Sequence, residues 1–169
     1  MISLDDLPQL HSDSIPTQTQ SSESLKVCLV ALGEEAFAVD LRQVVEVFEL
    51  ESITSIPGMP AALVGVTNLR GIIIPLVDVR TAVGVSVSVL PKYAVVVRHG
   101  TRQVGILVED VPEIHTIQSG NLMAYPDRTA AKSLDLFSGS FKTKKKPSAL
   151  LEISRLLAAI EGTANNRHP

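Results

Sequence analysis

A short pattern occurs twice in this chain and limits its fold more than any other feature. "FAVDLRQVVEV", starting at Phe37, aligns without gaps on "VGILVEDVPEI", starting at Val104. Each copy reads as an apolar strand, a polar elbow (Arg42-Gln43 or Glu109-Asp110) and then Val-x-Glu followed by Val or Ile. A second pair lies downstream, where "PLVDVRTAV" resembles "ALLEISRLL": an apolar strand, an acid, then a turn or helix start. Repeated units of one supersecondary kind predict two similar small bodies rather than one continuous sheet.

The strands that build them are short and closely punctuated. "KVCLVAL" and "AFAVDL" flank a loop containing Gly33, and "KYAVVV" and "RQVGILV" flank one containing Gly100, each a hairpin signal. The expected fold is mostly β, two similar small barrels built from closely spaced short strands. The first spans about residues 37–90 and the second about 91–150, divided near "GVSVSVLPK", where Pro91 breaks the pattern. Ile153, Leu156, Leu157 and Ile160 follow helical spacing, predicting one short C-terminal helix over 153–161 that stops at Gly162. Residues 1–24 are rich in Ser, Thr, Gln and Asp and read as a disordered tail, as do 162–169. Within the first tail, "ISLDDLPQL" has the form of a short docking peptide, although an inert extension is the commoner reading of such a segment.

Several function classes find no support. The net charge is −3, which gives no global field to gather nucleic acid, and aromatic residues make up only 4%, which leaves no stacking platform for single strands. His11, His99, His115 and His168 show no metal-ligand spacing, and no second cysteine accompanies Cys28, so no metal and no cofactor are expected. Cys28 itself reads as a small core hydrophobe of a reduced protein. No phosphate-cradling glycine loop or nucleophile elbow occurs, and the Ser, His and Asp of "HSDS" fall in the tail. The acids of "MISLDDLPQL" and the lack of an apolar run near the ~18 residues of a membrane span predict a cytoplasmic chain without membrane insertion. The lysines at residues 142–146 read as a solvated hairpin tip or a grip for an acidic partner.

One motif remains, "GVTNLRGIIIPLVDVR" at residues 65–80, two strands joined by a polar knuckle. Gly71 lets the chain reverse after Arg70, and Pro75, which has no N–H, requires an edge, bulge or start in the second strand. Arg70 then projects from a tight turn. Two roles stay open for it: a recognition residue whose five donors meet a partner, or a turn residue paired with an acid such as Glu46 or Asp78.

The same stretch resembles the signature of CheW-like domains, adaptors of bacterial chemosensory arrays. "LGEEAFAVDLRQVVEV", "AVVVRHGTRQVGILVEDVPEI" and "NLMAYP" resemble further family segments in order, so the likeness covers about residues 25–161. It implies two SH3-like five-stranded β-barrel subdomains packed on a shared core, and no catalysis. It also implies a bridge between the cytoplasmic tip of methyl-accepting chemoreceptors and the regulatory domain of a CheA-type histidine kinase. The matching receptor-groove positions are Val44, Glu46, Val47 and Arg70. Two departures stand out: Glu152 where the family usually has Asp, and Phe48-Glu49 after the Val-x-Glu-Val segment. The equivalent adaptor of a pilus-motility or other alternative pathway has the same physics. A rival of another class is a small-molecule sensor binding between the lobes, for which Arg70 and Glu46 are the candidate polar groups.

Overall fold

Ten strands and two helices follow one another as the short punctuated runs predict, in a computed structural model that describes residues 23–32, 35–60, 62–82, 89–125, 136–143 and 147–165. One five-stranded sheet contains β3 (Val44–Glu49), β4 (Leu63–Leu69), β5 (Ile72–Val77), β6 (Tyr93–His99) and β7 (Arg102–Val108), in the order β3-β6-β7-β5-β4. The other contains β1 (Ser24–Leu32), β2 (Glu35–Asp40), β8 (Glu113–Gln118), β9 (Phe137–Lys142) and β10 (Pro147–Leu151), in the order β8-β1-β2-β10-β9. A four-residue helix α1 (Val79–Ala82) follows β5, and α2 (Ile153–Asn165) follows β10.

The two orders are one topology. Replacing β3, β4, β5, β6 and β7 by β8, β9, β10, β1 and β2 turns the first into the second, so the second sheet takes its last two strands from the N-terminus. The repeat seen in sequence carries through to register: Leu76 pairs with Gly105 in the parallel pair of the first sheet, and the aligned residues Leu150 and Ala38 pair in the second.

This arrangement corrects the division at residues 90 and 91. The first sheet runs over Val44–Val108 and the second takes strands from both ends of the chain. The physical reason lies in the repeat itself. "FAVDLRQVVEV" is a crossover, with Phe37 in the second sheet and Val44 in the first, and "VGILVEDVPEI" crosses back. The polar elbow in each copy is the passage between sheets rather than the start of one.

Both sheets close into small barrels by the same device. Beyond β3 the chain returns so that Thr54 exchanges two 2.9 Å backbone hydrogen bonds with Val66 on β4, the opposite edge. Beyond β8, Met123 does the same with Ser140 on β9, at 2.8 Å each. Closure satisfies edge N–H and C=O groups that would otherwise recruit other strands. A glycine precedes each anchor: a Cβ on Gly65 would stand 2.5 Å from the Thr54 carbonyl oxygen, and one on Gly139 would stand 3.1 Å from that of Met123.

Because the strands are covered on both faces, many read as continuous apolar runs rather than alternating ones. In β6, Ala94 faces the interior of the first barrel with Leu76 and Leu107, while Val95 and Val97 face a core shared by the two barrels. Val27, Ala38, Ile117 and Phe141 fill the second barrel. The shared core joins Cys28, Phe37 and Val39 to Val77, Val104 and Ile106, and is capped by Ile153, Leu156, Leu157 and Ile160 of α2. Those four are the residues whose spacing predicts the helix, but α2 continues past Gly162 to Asn165. Gly162 does not take the positive φ of a helix-ending glycine, and a glycine inside a helix weakens it by about 1 kcal/mol without stopping it. Residues 1–22 and 166–169 of the expected tails lie outside the described residues, while Ser24 already belongs to β1.

Candidate functional site

The knuckle at the tip of β4 and β5 is a two-residue loop. Leu69 pairs with Ile72, and the loop residues Arg70 and Gly71 have φ values of 51° and 84°, the pattern of a type I′ hairpin turn. That turn favours Asn-Gly, and an arginine in left-handed backbone costs on the order of 1–2 kcal/mol. Arg70 is the one non-glycine residue with positive φ among the described residues. The Asn68 Oδ1 accepts the Gly71 N–H at 2.8 Å and steadies the reversal. Pro75 fits as expected: the parallel register with β7 begins at Leu76, so the first half of β5 needs no donor on that side.

The turn carries Arg70 across to β3, where its two terminal nitrogens each lie 2.9 Å from a different carboxylate oxygen of Glu46. The arginine side chain keeps 76% of its surface in solvent, the glutamate 22%. The forked contact orients the guanidinium and leaves its remaining donors facing outward. Of the two acids that could have paired with Arg70, Glu46 does, and Asp78 belongs to another arginine.

The four expected positions do not form one patch. Val45 is a bulge residue, with Val44 opposite Val97 and Glu46 opposite Val96. Glu46 and Phe48 therefore take the barrel-interior face of β3, while Val47, opposite Val95, takes the face turned toward the shared core. Val44 packs on that core and Val47 is exposed beside it. The equivalent positions in the second barrel are Val111, Glu113 and Ile114. Ile114 is more exposed than Val47, and Glu113 lies 3.1 Å from His115 Nε2.

A second arginine of the same stretch escaped the sequence reading. Arg80 is 1% exposed. Its Nε and one terminal nitrogen donate to Asp78 at 3.0 and 2.8 Å, and the other terminal nitrogen donates to Glu109 and to the Val89 carbonyl, both at 2.6 Å. The Asp78 hydrogen bonds raise its affinity for the proton further, against burial, which opposes charge. Asp78 directly follows β5 and Glu109 directly follows β7, so Arg80 locks the crossover elbow to the hairpin. The signal for it was the alternation Asp-Val-Arg, two charges on one side of a buried valine.

The remaining groups are chemically quiet. Burial pushes the Cys28 thiol up to about 11, which keeps it protonated. Among the described residues, no three or more His, Cys, Asp or Glu side chains come together as metal ligands would. The rival sensor reading needs an apolar cleft between lobes holding Arg70 and Glu46. Instead, side chains of both sheets and α2 fill that region, and the pair stands at the surface.

Paired five-strand barrels around a shared core, with an exposed arginine at a hairpin turn, define the class of the fold. The family model described as CheW-like domain matches residues 26–161, and the chain belongs to that family. It is 28% identical to the chemotaxis protein CheW of Klebsiella aerogenes over 79% of this chain and 81% of that protein. It is also 28% identical to the protein PilI of Pseudomonas aeruginosa, over 57% of this chain and 56% of that one. The crystal structure of the scaffolding protein TtCheW from Thermoanaerobacter tengcongensis superposes with a TM-score of 0.70 at 27% identity, covering 80% of this chain and 88% of that one. The chain is thus a non-enzymatic CheW-like scaffold of chemotaxis signalling. No helix among the described residues is long and apolar enough to cross a membrane.

Proposed function

We propose that this chain couples methyl-accepting chemoreceptors to a CheA-type histidine kinase in a cytoplasmic array. The observation that carries the reading is Arg70, held at φ 51° where another residue would be less strained, anchored by Glu46 and mostly in solvent. Strain retained at an exposed position points to use. In this reading the Arg70 guanidinium binds acceptors on the receptor tip, Glu46 fixes its direction, and Val47 adds apolar contact from the other face of β3. Val44 anchors β3 beneath them, and the barrel ends meet the kinase regulatory domain.

The test is a pull-down with the purified full chain from an extract containing a chemosensory system. A CheA-type kinase and a chemoreceptor should come down together, and Arg70→Glu should lose the receptor. Recovery of neither protein with the wild-type chain overturns the proposal. Likeness to PilI supports a second reading, the equivalent adaptor of an alternative pathway, which the identity of the recovered kinase decides.

A further inference from the structure

We propose that the N-terminal segment at residues 2–10, "ISLDDLPQL", docks in the cavity that opens into the second barrel. This cavity encloses about 700 Å³. Its floor is Leu29, Ile117 and Phe141, members of the cluster that fills the barrel, and its rim includes Lys142 and His115 together with the acids Asp110 and Glu113.

Three observations select this occupant. The described chain begins beside the cavity: the Glu23 carbonyl accepts the Ser119 N–H at 2.9 Å, and Ser119 stands between the lining residues Ile117 and Asn121. Leu10 precedes Glu23 by thirteen residues, a span whose r.m.s. length is about 20 Å if flexible. Such a tether gives an effective concentration on the order of millimolar, so weak contacts suffice. The chemistry also matches. Ile2, Leu4, Leu7 and Leu10 suit the apolar floor, and Asp5-Asp6 meets Lys142, after which three more lysines follow at residues 144–146. Glu113, 3.1 Å from His115, and Asp110 are acids of the same rim, so the acidic pair approaches from the Lys142 side. The inference does not depend on the receptor and kinase reading.

The test places a nitroxide at Asp13→Cys in the full chain, where the buried Cys28 stays unlabelled, and records amide signal loss by NMR. Signals of Ile117, Asn121, Lys142 and Thr143 should be lost, while those of the first barrel persist. Leu4→Asp combined with Leu7→Asp should restore them, because aspartates do not enter an apolar floor. Raising the salt should restore them in part. Loss spread over both barrels, or loss that survives the double substitution, overturns the proposal. So does loss that arises only between a spin-labelled and an isotope-labelled copy, since the occupant would then be a second chain.

Discussion

Arg70 and Arg80 lie ten residues apart in one motif, and their removal should have very unequal consequences for stability. Arg80→Ala leaves Asp78 and Glu109 without the cation whose side chain makes four hydrogen bonds, three to their carboxylates and one to the Val89 carbonyl. Breaking a buried ion pair by deleting one partner costs about 3–5 kcal/mol. For a domain of this size each kcal/mol lowers Tm by about 2–4 °C, so the midpoint should fall by about 6–20 °C. Arg70→Ala removes an exposed pair worth at most about 1 kcal/mol, a fall of no more than about 4 °C. Arg70→Gly should be at least as stable as Arg70→Ala, because glycine accepts φ 51° without the steric cost that alanine keeps. The assay is calorimetric unfolding of the four proteins in one buffer. An Arg80→Ala midpoint within about 2 °C of wild type, or an Arg70→Ala loss equal to that of Arg80→Ala, refutes the division of labour.

Other expectations follow from packing and burial. Gly65→Ala should destabilise more than Gly139→Ala in denaturant titrations, since its Cβ meets a carbonyl oxygen at 2.5 Å rather than 3.1 Å; equal effects would mean that closure of the first barrel is not tight. Cys28 should resist thiol reagents at pH 8 until the protein unfolds, its pKa of about 11 leaving little thiolate; modification at the rate of a free thiol in native buffer would show that the core opens. Arg42 holds the Asp40 carboxyl below its usual range, so Asp40 contributes stability that is full above its unfolded pKa and is lost as pH falls through the lower folded value. Asp40→Asn should therefore flatten the acid limb of the stability curve, and an unchanged limb would contradict the assignment.

The strands, both early hairpins and the knuckle turn were legible because short apolar runs and glycine punctuation act locally. The repeat was legible too, and its alignment carried the register of the two parallel pairs, Leu76 on Gly105 and Leu150 on Ala38. The division between barrels was not, because the second sheet borrows β1 and β2 from the far end of the chain, and no local signal records which edge a strand joins. Gly162 misled for a related reason: contacts of Leu156, Leu157 and Ile160 with the shared core hold α2 beyond a residue that weakens it. At the site, pairing of Arg70 with Glu46 was one of two options that sequence named. Consecutive strand residues alternate, so Glu46 and Val47 face opposite sides by the pleat alone; the bulge at Val45, which puts Val44 on the face of Val47 rather than of Glu46, had no signature, since valine suits a regular strand as well as a bulge. Arg80 went unread because charge in an apolar run draws attention to the turn, where water can reach it, rather than to the buried position where two acids neutralise it.

The most direct test of the central claim measures, with the purified full chain, its affinity for a chemoreceptor cytoplasmic tip and for the regulatory domain of a CheA-type kinase, alongside Tm. Truncating a central interface arginine costs about 2 kcal/mol or more, roughly a thirtyfold loss of affinity. Arg70→Glu should weaken receptor binding by at least about that factor, with kinase affinity held and Tm within about 4 °C of wild type. Receptor affinity unchanged in a fully folded Arg70→Glu protein would contradict the account.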